Sequence, residues 1–241
     1  MGNAVEGGPV DWGQGYGYQF WMSRHGYRGD GAFGQFCVIL PEQDAVIVTT
    51  AYTLAMPALL DAIWDHLLPG LGSGSPEAAA AQEELGDRLA RLELAACPGA
   101  PAPGDWDRWA GAFTVTAGTA DNQAQPFLFS LEARPFLTSI EVAPVDGGWQ
   151  INLIEADNAL TFPVGTGGWT VSDPVDRHGE TIPVAASGGW LDDQTLRVEV
   201  IFLETPHRMD ITCSLPQRSA EAGWRHPPLT PSRLTQLHCP S

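Results

Sequence analysis

Phe33-Gly-Gln-Phe-Cys-Val-Ile-Leu40 runs directly into Pro41-Glu-Gln-Asp44, which opens onto Asp44-Ala-Val-Ile-Val-Thr-Thr50. Two runs of aromatic and β-branched residues joined by a Pro/Asp turn predict a β-hairpin. Both runs are nearly continuous in apolar residues, the pattern of strands covered on both faces. Upstream, Tyr16-Gly-Tyr-Gln-Phe-Trp-Met22 reads as a further strand. Downstream, Met56, Leu59, Leu60, Ile63, Trp64, Leu67 and Leu68 recur at helical spacing, with Asp61 and Asp65 on the other side. Pro57 suits the first turn of this helix and Pro69 ends it. The helix is expected to lie on the strands.

A flexible break, Gly70-Leu-Gly-Ser-Gly-Ser75, follows. A second helix is expected from about Pro76 to Leu94, with Leu85, Leu89 and Leu92 on one stripe. Glu84/Arg88 and Asp87/Arg91 are i,i+4 pairs in the favourable order. Ala96-Cys-Pro-Gly-Ala-Pro-Ala-Pro-Gly104 reads as a linker, so the domain boundary falls there. Residues 105–241 look all-β. Short alternating runs recur at 109–116, 127–133, 137–143, 149–155, 160–164, 196–203 and 209–215. Gly147-Gly-Trp149, Gly167-Gly-Trp169 and Gly188-Gly-Trp190 each place a turn before a Trp, suggesting successive hairpins of a meander. An antiparallel barrel or sandwich of about eight strands is expected, because closure removes exposed sheet edges.

The chain has 241 residues, and its 12 basic residues are all Arg. Against 29 acidic residues the net charge is −17. That balance excludes a phosphate-backbone partner, whose affinity comes from neutralising cations, and an anionic membrane surface. The absence of lysine excludes any lysine base or Schiff base within this chain. Of the four cysteines, Cys37, Cys97, Cys213 and Cys239, no two are spaced C-x-x-C. Cys37 and Cys213 lie in apolar runs, where free cysteine packs as a small core residue. No signal-peptide pattern opens the chain, no apolar run reaches the ~18 residues of a membrane span, and Glu6 breaks the myristoylation pattern begun by Met1-Gly2. The expected location is the cytoplasm.

The order Gly15-Tyr-Gly-Tyr-Gln-Phe-Trp21, Arg24-His-Gly-Tyr27, Gly29-Asp-Gly-Ala-Phe-Gly34 and Pro41-Glu-Gln-Asp-Ala-Val-Ile-Val-Thr-Thr50 resembles the third-motif region of the serine hydrolases related to class C β-lactamases and penicillin-binding proteins. The helix that follows is similar to that family's C-terminal helix. The resemblance implies an α+β fold. Residues 1–72 would be the C-terminal part of a β-lactamase-like antiparallel sheet plus helix, 73–104 a helix and linker, and 105–241 an all-β domain. That last domain is similar to the lipocalin-like barrels appended to some of these hydrolases. The implied activity is esterase or amidase, on a small ester or amide in the full-length parent, without cofactor or metal.

The family's Ser-x-x-Lys pair and Tyr-x-Asn motif are both absent from this chain, which has no lysine and no Tyr with Asn two positions on. The chain is therefore expected to be inactive alone. It would be the C-terminal portion of such a protein, with Met1 an internal or misassigned start or the front of the gene lost. By the resemblance, His25 stands at the third-motif position on the substrate side, followed by Gly26. Counting forward from His25 places the oxyanion N–H at Arg28, and counting back from Ala32-Phe33-Gly34 places it at Gly29.

Each of these residues also has a plainer reading. His25 could be an exposed loop histidine, and Arg24 and Arg28 either attract a carboxylate or offset nearby acids in solvent. Asp30 between two glycines reads as a turn residue. Asp173, Asp176 and His178 sit between Pro174 and Gly179 and read as a turn in preference to a metal site. His207 after Pro206 reads as structural, or as facing a barrel mouth. Trp149, Trp169, Trp190 and Trp224 read as core or belt. No Gly-x-Ser-x-Gly elbow is present.

Two alternatives accompany the hydrolase reading. One is a non-catalytic barrel that binds a small apolar ligand. The other is a chain whose strands 33–50 lack a covering layer and meet a protein partner, or the missing N-terminal portion, across an exposed apolar face.

Overall fold

The computed structural model describes residues 10–72, 78–102, 104–116, 135–226 and 232–238. The chain forms two compact units, Met1–Leu92 and Glu93–Ser241.

The first unit is a five-stranded antiparallel sheet in sequential order. Its strands are β1 (Tyr16–Gly17), β2 (Phe20–Met22), β3 (Tyr27–Gly31), β4 (Gln35–Leu40) and β5 (Ala45–Thr49). The hairpin that the sequence announces is β4–β5. Its turn is a 3₁₀ turn over Pro41–Gln43, closed by Asp44 at φ 48°, whose N–H donates to the Pro41 carbonyl at 3.3 Å. The expected single strand 16–22 is instead a hairpin, with Tyr16 opposite Trp21 and Gly17 opposite Phe20. Tyr18 and Gln19 supply the turn at φ 52° and 67°, the left-handed pair that tight hairpins require and that Asn-Gly normally signals.

The helix α1 (Met56–Ala62) continues through a π turn (Ile63–Leu67) and a 3₁₀ turn (Leu68–Gly70). Leu60, Ile63 and Trp64 from this segment pack with Phe36, Val38 and Leu40 of β4 in one apolar cluster. The expectation of cover on both faces is overturned. Register places Tyr27, Ile39 and Val46 in one row, and Gly29, Cys37 and Val48 in the next. On this outer face Val46 is 62% and Val48 70% exposed, and Cys37 lies in solvent instead of in a core. A continuous apolar run thus serves a sheet with one buried and one open face. A second helix, α2 (Ala78–Ala90), stands where expected, but Leu85 and Leu89 of its stripe are exposed.

The second unit opens with a short helix, α3 (Trp106–Trp109), and a strand, β6 (Gly111–Thr116), where one strand 109–116 was expected. Then come β7 (Ser139–Val145), β8 (Gly148–Ile154), β9 (Ala159–Pro163), β10 (Thr170–Ser172), β11 (Val184–Trp190), β12 (Thr195–Phe202), β13 (Arg208–Ser214) and β14 (Ser219–Trp224). Their order is β10-β11-β12-β13-β14-β6-β7-β8-β9, a nearly closed nine-stranded barrel-like sheet. All pairs are antiparallel except β14–β6, where Ser219, Ala220 and Glu221 pair in parallel with Thr114, Val115 and Thr116. The expected strand 127–133 and Cys239 lie outside the described residues.

Alternating positions such as Ile140, Val142, Ile151, Leu153, Val198, Val200 and Ile211 form the buried interior. Trp109, Trp149 and Trp190 join them, with ring centroids 5.7 Å (Trp109–Trp190) and 4.9 Å (Trp149–Trp190) apart. Asp146-Gly147 makes the expected turn between β7 and β8, with Gly148 opposite Val145. Gly188-Gly189-Trp190 is not a turn but the end of β11, every residue of which is buried. The reason is steric. The stretch read as a linker lies along the outside of this strand, with Ala100 exchanging backbone hydrogen bonds with Trp190 at 2.8 and 3.1 Å. The Cys97 N–H donates to Ser187 Oγ at 3.1 Å. A Cβ on Gly189 would come within 2.8 Å of the Gly99 backbone.

Candidate functional site

The loop between β2 and β3 carries Arg24, His25 and Gly26, and with the β4–β5 turn it borders a cleft of about 370 Å³. Met22, Ser23, Tyr27, Pro41, Glu42 and Gln43 complete the lining. Gly26 holds φ +65°, and a Cβ there would lie 2.0 Å from the Ile39 carbonyl oxygen, so only glycine lets the loop pass this close to β4. His25 is exposed in this cleft. Its ring leans on Trp64, centroids 5.3 Å apart.

The loop is anchored by Asp11, which sequence reasoning did not single out. Its buried carboxylate accepts the Arg24 backbone N–H at 2.8 Å, Arg24 Nε at 3.1 Å and Nη2 at 2.9 Å, and Trp64 Nε1 at 3.2 Å. Burial alone would raise the Asp11 pKa, but these donors together hold it below its ordinary value. Arg24 also pairs with Asp61. Arg24 is therefore occupied by the protein's own acids.

Arg28, a proposed substrate-side residue, faces the interior and is fully buried. It donates to Asp30 through Nε at 2.9 Å and to Ser23 Oγ through Nη1 at 2.6 Å, and its guanidinium lies 4.4 Å from the Trp12 ring centre. Nη2 sits 2.9 Å from the same Asp30 oxygen without making a directed hydrogen bond. Asp30 is thus an ion-pair partner within β3, not a turn residue. Its burial outweighs the Arg28 charge, so its pKa is raised. Gly29 lies beside Cys37 on the outer face. The β2 ladder reaches β3 only at Tyr27 and Arg28, and Gly29 has no partner in it. Gly29 pairs with Cys37 of β4, and Arg28 with Trp21 of β2 and Val38 of β4, so both backbone positions open at the sequence level lie within the ladder.

Elsewhere, Asp176 accepts Asn158 Nδ2 at 2.8 Å and the backbone N–H groups of His178 and Glu180 at 2.9 Å each, which makes it the organiser of a turn. His207 makes two hydroxyl contacts, Nδ1 to Thr205 Oγ1 and Nε2 to Ser232 Oγ, both 2.9 Å. A hydroxyl stands where Ser-His-acid arrays place a carboxylate, and Ser232 is 6% exposed. Among the described residues no group of three His, Cys, Asp or Glu side chains forms a metal-binding cluster. No helix among them is long and apolar enough to cross a membrane. No family model, curated protein or solved structure matches this chain.

Proposed function

We propose that this chain is the C-terminal portion of a β-lactamase-related serine hydrolase of the esterase or amidase class, without acylating activity of its own. The observation that carries this reading is the first unit's sheet. One face is covered by α1, the other is apolar and open, and the His25 cleft borders its end. In a complete hydrolase the open face would receive the portion that bears Ser-x-x-Lys and Tyr-x-Asn. His25 would then face substrate, with Gly26 shaping the loop and Arg28 or Gly29 of β3 standing at the family's oxyanion-donor position. Arg28 would hold β3 from within. Oxyanion donors stabilise charge only where a nucleophile creates it, and the lysine needed to activate the family's serine is absent.

A fluorophosphonate probe and a labelled β-lactam should leave no serine adduct on the purified chain, as read by intact mass. A stoichiometric adduct would overturn the claim of inactivity. The coding DNA upstream should contain an in-frame Ser-x-x-Lys, and its absence would overturn the family assignment.

A second reading, a barrel that binds a small ligand, is favoured by buried polar atoms without hydrogen-bond partners among the described residues near one end of the second unit. They include Glu155 Oε2 and Trp224 Nε1.

A further inference from the structure

The barrel end where β8, β12 and β14 finish and β13 begins is covered by residues 232–238. Leu234 and Leu237 are each 1% exposed and belong to the barrel's apolar cluster. Ser232 meets His207, the Leu234 N–H donates to Glu155 Oε1 at 3.1 Å, and Arg233 Nη1 lies 3.3 Å from Asp157 Oδ1. The Arg233 guanidinium also sits 4.9 Å from the Phe136 ring centre. The segment is a single 3₁₀ turn, Leu234–Gln236, in which the Gln236 N–H donates to the Arg233 carbonyl and the Leu237 N–H to the Leu234 carbonyl. It therefore holds its place by side chains and one N–H, not by a strand ladder.

Chemically this segment is an amphiphilic cation, a guanidinium flanked by two branched aliphatic groups. What it covers is incompletely satisfied. Glu155 is 97% buried by its 3% exposure, and its second oxygen has no partner. Trp224, whose ring is 5.0 Å from His207, has an unpartnered Nε1. Ser232 and Leu234 touch His207 and Glu155 respectively, so two residues of chain, about 7 Å at full extension, bridge the two sides. Asp157 and Asp176 both act on Glu155 through their charge, and Arg233 opposes them. Removing the segment would remove that cation from beside Asp157 and uncover Glu155.

We propose that residues 232–238 form a lid acting as a built-in pseudo-ligand, and that the barrel mouth beneath binds a small amphiphilic cation, an alkylamine, in its place. The ammonium meets both Glu155 oxygens and Asp157, and the alkyl chain fills the space of Leu234 and Leu237. This rests on the ligand-binding reading of the barrel and is independent of the hydrolase reading.

The test titrates the full chain with n-octylamine and with octanoate by calorimetry, as wild type and as the L234A/L237A variant. The variant should bind octylamine at least tenfold more tightly than wild type and ignore octanoate. Adding Glu155→Gln should weaken octylamine at least tenfold. Binding of octanoate as tightly as octylamine overturns the cationic class and leaves a ligand-binding barrel. Binding of neither by a folded variant overturns both. Should the variant not fold, wild type decides by hydrogen exchange. Octylamine should speed exchange at Leu234 and Leu237 relative to the strand amides, and unchanged exchange there overturns the proposal.

Discussion

His207 shows how a single buried ring ties stability to pH. Burial among Trp224 and the two hydroxyls lowers its pKa from the ordinary value. The folded form keeps the ring neutral while the unfolded chain takes up a proton below about pH 6.5. Stability from this group is full above that pH and is lost as pH falls toward the folded value. His226, lowered by burial and by Arg225, acts in the same direction, whereas Glu155, raised by burial, acts oppositely. The contribution is isolated by comparison with His207→Gln, whose amide can keep the hydroxyl contacts. Between pH 7 and 5 wild type should lose stability more steeply than the variant. The excess slope should stay under ~1.4 kcal/mol per pH unit, reduced because the ring is partly screened by solvent. Urea unfolding across that range checks it, and parallel pH profiles would refute it. The basic run Arg24-His25-Gly26-Tyr27-Arg28 makes a related point. Its charges look available to a ligand in the sequence, yet Asp11, Asp61 and Asp30 claim both arginines. No local rule could have paired residues 13 and 37 positions apart.

At the scale of elements, the most informative piece is the extended stretch along β11. Pro, Gly and Ala spell a linker by composition, and nothing local distinguishes a free linker from one laid on a strand. The signal lay in the partner, since Gly189 is small enough to admit another backbone. Cys97 is consequently 2% exposed, and burial pushes its thiol up to about 11. Gly189→Ala inserts a methyl group where Gly99 lies, which should cost about 1–3 kcal/mol and lift the stretch off β11. In a Cys239→Ser background, an Ellman-type reagent should titrate one fast thiol in wild type, the exposed Cys37, and two in the variant. A variant that still gives one would show that the stretch needs no close approach. Cys213 should stay silent in both, its thiol pushed up to about 12 by burial.

At the scale of the whole molecule, each unit has its own apolar cluster, but only the barrel encloses its strands. The open face of the first sheet, with Val46 and Val48 on the edge strand β5, is the surface expected to seek a partner or to associate with itself. Sedimentation velocity at micromolar concentration should show self-association of wild type. Replacing both valines by lysine should abolish it without lowering the melting temperature, because lysine on an edge strand blocks pairing and leaves the α1 side untouched. A monomeric wild type would count against a partner-seeking face. The amino-acid sequence alone was enough to give two β-rich parts, the 33–50 hairpin, the α1 helix, and a chain unable to supply a lysine to any nucleophile. Those are matters of composition and of patterns a few residues long. Tertiary structure alone decided which sheet face stays open, that β14 closes on β6 in parallel, that Gly188-Gly189 is strand, and that Glu155 lies buried beneath the chain's own C-terminal segment. Alternation along a strand says that two faces exist. What covers each face is set by residues distant in the chain, whose meeting no local pattern encodes.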